Sequence, residues 1–86
     1  MGPNHHWVSR CLSEFAGLRM RQGRYAEAEA MYSRALSISE KALGPDHPVV
    51  AGLLDDMASL SASMGRTDTA KMLTERAKRI RARQGS

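Results

Sequence analysis

The residues best equipped for chemistry are few: the adjacent carboxylates Asp55 and Asp56, the histidines His5, His6 and His47, and the single cysteine, Cys11. Carboxylates can hold a cation, accept hydrogen bonds from a peptide or move protons, and histidine and cysteine can ligate a metal. No cysteine or carboxylate stands at ligand spacing beside the histidines, so no metal site is expected. Cys11 falls at an apolar position of a helical pattern and has no histidine at suggestive spacing, which points to packing rather than nucleophilic chemistry. There is no phosphate-binding glycine loop and no carboxylate arrangement suited to general acid–base work. The expectation is a protein that is not an enzyme and needs no cofactor, with Asp55 and Asp56 left as candidate binding groups.

The bulk of the chain narrows the classes further. Eighty-six residues make at most one domain, and folding at this size buries only about 60% of the surface the unfolded chain exposes. No apolar run is long enough to span a membrane and no secretory leader is visible, which with one cysteine leads to the expectation of a cytoplasmic protein. The net charge of +4 is unevenly placed: residues 1–70 carry seven basic and eight acidic side chains, residues 71–86 six and one. Lys71, Lys78, Arg79, Arg81 and Arg83 could meet phosphates or an acidic partner. Cations near a helix C-terminus also offset its dipole, and no aromatic residues interleave with these to stack on bases, so nucleic acid is not expected as a partner.

Elements that could position the candidate groups follow from periodicity. Apolar residues recur at three-and-four spacing from Trp7 to Gln22, through Val8, Cys11, Leu12, Phe15, Leu18 and Met20, and Gly23 ends the run. A second helix spans 25–43 with Ala28, Met31, Tyr32, Ala35, Leu36, Ile38 and Ala42 and closes at Gly44 and Pro45. A third, capped by Asp46 or His47 with Pro48 in its first turn, runs to about Met64. Gly65 stops it, and Thr67 is the expected cap of a fourth helix that carries Ala70, Met72, Leu73, Ala77 and Ile80. No strand pattern occurs. The links at Gly23-Arg24 and Gly65-Arg66 are too short for anything but reversals, so the helices pair as antiparallel hairpins, with Ala28, Ala35, Ala70 and Ala77 allowing close approach.

The two hairpins are copies of one unit. "MGPNHH" at 1–6 reappears as "LGPDHP" at 43–48, "QGRYAEA" at 22–28 falls on "MGRTDTA" at 64–70, and Leu12/Leu54, Ala16/Ala58, Leu18/Leu60, Arg34/Arg76, Ala35/Ala77 and Ile38/Ile80 coincide at the same offset. A fixed period of this size marks stacked units, none of which can bury its apolar face alone. Phe15-Ala16, "QGRYAEAE" and "MYSRAL" resemble the tetratricopeptide repeat, with Ala16, Ala28, Tyr32 and Ala35 as its small and aromatic positions. The forty-two-residue spacing and "EKALGPDHPVVA" look like the subgroup found in kinesin light chains. The resemblance implies an all-α fold of two tandem helix-turn-helix hairpins, four antiparallel helices in a short α-solenoid. It divides a single domain, 1–86, into repeat one (7–43), a loop (44–47) and repeat two (48–84).

What the resemblance implies for function is protein binding, by an interaction module or scaffold fragment that holds a short protein segment on its concave face. Carried over by position, that face presents Arg10, Ser13, Glu14, Gly17, Met20 and Arg21 from the first repeat and Gly52, Asp55, Asp56, Ser59, Ala62 and Ser63 from the second. Two carboxylates accept but cannot donate, so the expected ligand carries Lys, Arg or free N–H groups. In the second repeat Thr67, Thr74, Lys78 and Arg79 replace Tyr25, Tyr32, Leu36 and Ser37, and a polar outer face of this kind suits a terminal cap. "MGPNHH" looks like the loop after a preceding repeat, an expectation that leaves the chain either a fragment of a longer array or a minimal protein with an open front. The alternative reading is homo-oligomerisation through that front edge, at Trp7, Val8, Cys11 and Phe15.

Overall fold

A computed structural model describes residues 6–84 of the chain. The expectations placed on "MGPNHH", His5 and the His6 side chain lie outside the described residues. Four helices follow one another: α1 (His6–Arg21), α2 (Tyr25–Leu43), α3 (Pro48–Ser63) and α4 (Thr67–Gln84). The described residues contain no strand. α1 packs along α2 and α3 along α4, while α3 also lies against α2 and touches α1 lightly. The molecule is thus two helical hairpins joined at one seam, an all-α solenoid of two units.

The same local chemistry makes both hairpin turns. Gly23 and Gly65 each have φ of 80°, a left-handed conformation that glycine adopts without the clash a Cβ would bring. That conformation lets Arg24 N–H reach back to Arg19 O at 2.8 Å and Arg66 N–H to Ser61 O at 2.8 Å, the six-to-one bond of a Schellman ending. α3 starts as its sequence suggests: His47 Nδ1 accepts from Val49 N–H at 3.1 Å and Pro48 follows in the first turn. Asp46, the other candidate cap, pairs instead with Arg83 of α4. Thr67 is not the cap of α4. It is already the first helical residue, and the residue before it, Arg66, turns its side chain across the seam to Glu29.

The core is built from small residues and leucines. Ala16, Ala28 and Ala35 are fully buried with Tyr32, Leu53 and Leu60 in the cluster that spans the seam. Val50, Ala51, Leu54, Ala77 and Ile80 form the interior of the second hairpin. Ala70 is only half-buried, because its side of α4 faces a hollow lined by Ala62, Thr67 and Thr74. One buried polar contact crosses the first hairpin: Ser9 Oγ donates to Ala35 O at 3.0 Å and is hydrogen-bonded to Ser39 Oγ. Since Ser9 has a single hydroxyl proton, Ser39 supplies the second hydrogen bond.

Candidate functional site

Three sides of α1 have three fates, because successive helical residues are turned by about 100°. Ser9, Leu12 and Ala16 face inward toward α2. Arg10, Ser13, Glu14, Gly17, Met20 and Arg21 share a second side, which opens onto a groove between α1 and α3. Trp7, Cys11, Phe15 and Leu18 lie on the third, exposed side.

The groove has two connected halves. One is lined by Ser9, Arg10, Ser13, Val49, Gly52, Leu53 and Asp56. The other is lined by Ser13, Glu14, Gly17, Met20, Arg21, Tyr32 and Asp56. Ser13 and Asp56 belong to both, so they stand at the middle of one continuous trough. Ser13 Oγ donates to Arg10 O at 2.8 Å, and Arg10 lies 3.7 Å from Glu14 along the rim. Neither groove glycine is required by packing within the chain: a Cβ at Gly52 would meet nothing within 4 Å, and one at Gly17 would sit at an ordinary 3.5 Å from Tyr32 Oη. Their effect is to leave space along the floor.

Asp56 dominates the electrostatics. Although Asp56 is exposed overall, partial desolvation in the trough, and secondarily the negative charge of Asp55, push its carboxyl above the usual aspartate range. Tyr32 is raised too, first by its own burial and then by Asp56, with Arg21 acting in the opposite direction. Asp56 forms no ion pair among the described residues. It is therefore an acceptor with its charge unmatched within the chain, beside a phenol at the groove floor.

Of the residues that the sequence places on this face, Arg10, Ser13, Glu14, Gly17, Met20, Arg21, Gly52 and Asp56 are brought together. Asp55 is not: its carboxylate pairs with the Arg81 guanidinium of α4, which raises the arginine further. Ser59 and Ser63 are exposed beyond the trough, and Ala62 faces the separate hollow on α4. Ser9, Val49, Leu53 and Tyr32 are lining residues that the sequence alone does not assign. Tyr32 reads as core and is core, 4% exposed, yet its ring closes the groove floor.

Half of the basic residues of α4 are engaged within the molecule, and Lys71, Lys78 and Arg79 have no ion pair among the described residues. Arg76 donates to Glu40 at 2.6 Å, Arg81 pairs with Asp55 and Arg83 with Asp46. At the other end of the stack Trp7 is 63% and Phe15 55% exposed, Cys11 is exposed and Val8 is half-buried. Leu18 extends this exposed row. No described helix is long and apolar enough to cross a membrane.

No curated protein matches the chain closely enough to count as a relative. The family profile described as "Tetratricopeptide repeat" matches residues 7–83, a stretch that includes both hairpins, both glycine turns and the whole groove. With its two stacked helical hairpins and its alanine-lined seam, the chain belongs to the tetratricopeptide repeat family.

Proposed function

We propose that the chain is a protein-interaction module that seats a short protein segment in the groove between α1 and α3, with Asp56 receiving a lysine, an arginine or backbone N–H groups. The family generally mediates protein–protein interaction and scaffolding. The observation that carries the finer reading is the trough with Asp56 at its centre, shared by both halves and lacking a cation of its own. A donor on the ligand would restore the charged form that burial disfavours. Arg21 at one end and Arg10 at the other would favour acidic groups flanking the central base. Within this reading the domain is 1–86 with repeats at 7–43 and 48–84, the repeat is of the kinesin-light-chain type, the location is cytoplasmic, and no catalysis is involved.

Selection of a displayed random peptide library on the intact chain tests it. Sequences enriched on the native protein should carry Lys or Arg at one fixed position. Asp56→Asn should abolish that preference, and Asp55→Asn should leave it intact. Equal enrichment on native protein and Asp56→Asn would remove Asp56 from the site.

A second reading rests on a separate observation, the exposed row of Trp7, Cys11 and Phe15. It makes the front edge an assembly surface, homo-oligomerisation being its simplest form. Trp7→Glu or Phe15→Lys should then give monomers that stay folded, and association unaffected by either change would count against it.

A further inference from the structure

The seam between the two hairpins shows what this chain uses to hold one repeat against the next. Leu53, Met57 and Leu60 of α3 pack into the cluster that contains Tyr25, Tyr32 and Leu36 of repeat one. Two arginines of repeat two complete the contact: Arg66 reaches Glu29 and Arg76 reaches Glu40, each at 2.6 Å. Both carboxylates lie on α2, so the seam combines an apolar row on the arriving hairpin with carboxylates on the second helix of the hairpin that receives it.

The internal repeat puts the same arriving apparatus on the front of α1 and α2. Cys11, Phe15 and Leu18 occupy the positions of Leu53, Met57 and Leu60, and Trp7 that of Val49. Leu53 and Leu60 are buried by the seam, whereas Phe15 and Leu18 are 55% and 39% exposed. Arg24 and Arg34 occupy the positions of Arg66 and Arg76. Arg24 has only a 3.8 Å contact with Glu27, and Arg34 is exposed with no ion pair among the described residues.

The receiving apparatus is not copied. On the outer side of repeat two Lys71 stands for Glu29, Thr67 for Tyr25, Thr74 for Tyr32 and Lys78 for Leu36. These residues line an open hollow in which two lysines outnumber the one carboxylate, Glu75. A second copy stacked head to tail would bring its Arg24 against Lys71, like charge on like charge, and would lay Phe15 over threonines and a lysine.

We propose that the front face of repeat one, formed by Trp7, Cys11, Phe15 and Leu18 with Arg24 and Arg34, docks a helical hairpin of different sequence. Its second helix carries an apolar face and carboxylates in the register of Glu29 and Glu40, and Lys71 and Lys78 bar a second copy of this chain from that role. The inference rests on the assembly reading of the front edge but replaces its homo-oligomeric form with an occupant of different sequence, named by its chemistry. Charge complementarity selects the hairpin, as like-charge juxtaposition is a strong device against wrong partners.

The test uses the full chain with its rear face rewritten to that of repeat one at these four positions: Thr67→Tyr, Lys71→Glu, Thr74→Tyr and Lys78→Leu together. Head-to-tail contacts build rings or open filaments rather than stopping at two, so light scattering should show the native chain holding a constant mass while the rewritten chain climbs past a dimer with concentration. Adding Arg24→Glu or Phe15→Lys to the rewritten chain should return it to the single-chain mass, with circular dichroism confirming that each variant is helical. A folded, rewritten chain that stays monomeric would overturn the proposal. So would a native chain that grows without limit, which would show that Lys71 and Lys78 are no bar. A native dimer that stops at two and is dispersed by Phe15→Lys would also overturn it, while sustaining the broader assembly reading. None of the substituted rear-face residues lines the groove, so the peptide-binding reading stands or falls separately.

Discussion

Asp56 and Asp55 illustrate how far one residue's role depends on a turn of the helix. Adjacent positions diverge by about 100°, which sends Asp56 into the trough and Asp55 to Arg81. The sequence marks the pair as a binding candidate but cannot divide it, since the dividing contact comes from α4, on the far side of a turn. Ser9 is hidden for a similar reason: a serine within an apolar row looks like a surface residue until Ser39 and the Ala35 carbonyl are brought to it. Arg10, Ser13, Gly17 and Arg21 were assigned through the resemblance to the repeat family, and they fall together because they share one side of a single regular helix.

Asp56 also makes a stability prediction at this scale. Its pKa is higher folded than unfolded, chiefly through partial desolvation in the trough, so the folded state holds its proton more tightly and the ionised form carries a stability cost that solvent at this exposed residue keeps small. That cost is absent below the ordinary aspartate value, grows as pH rises toward the raised folded value, and persists at neutral pH. Asp56→Asn should therefore be more stable than the native protein at neutral pH, with the advantage disappearing in acid. Denaturant titrations at the two pH values check this, and an advantage independent of pH would contradict it.

Elements were the most legible level, because their ends are written in glycine and proline. Gly23 and Gly65 close their helices with the same left-handed turn, and Gly65→Ala should cost about 1–2 kcal/mol, read as a lowered denaturation midpoint. The misplaced cap at Thr67 shows the limit: threonine, a good capping residue, stands one position too late, and an arginine takes the position because its side chain is held by Glu29 across the seam. Gly52 lies within α3 with open space where a Cβ would be. Gly52→Ala should stabilise the helix by about 1 kcal/mol and raise the Tm by about 4–8 °C. If the groove takes a peptide backbone at this point, the same variant should bind the selected peptides more weakly. A Tm that does not rise would mean that the glycine is relieving strain which a free Cβ position does not reveal.

The whole molecule stands on one seam. The two hairpins meet chiefly where α3 crosses α2, with a light touch on α1 and two arginine–glutamate pairs beside it, and Leu60, 2% exposed, lies at that crossing. Leu60→Ala should cost about 2–5 kcal/mol, a large share of the about 5–15 kcal/mol that holds small domains together. Both hairpins should then lose helicity in one transition, whereas two separate transitions would show that each stands alone. The repeat offset made this architecture readable from sequence, since it identifies which residues occupy equivalent places in the stack. It also marked the difference between the two ends, polar at Thr67, Thr74 and Lys78 and apolar at Trp7 and Phe15. What it could not supply was the set of ion pairs that tie the seam, since Arg66 and Arg76 meet Glu29 and Glu40 only once α4 is folded back beside α2.

If a protein segment sits between α1 and α3 with Asp56 at its middle, as proposed, backbone amide shifts tell most directly where a selected peptide lands. Titrating the isotope-labelled chain with that peptide should move the amides of Ser13, Gly17, Gly52 and Asp56 while those of Cys11, Phe15 and Met72 stay in place. Shifts confined to the front row of α1 or to α4, with the groove amides unmoved, would contradict the account.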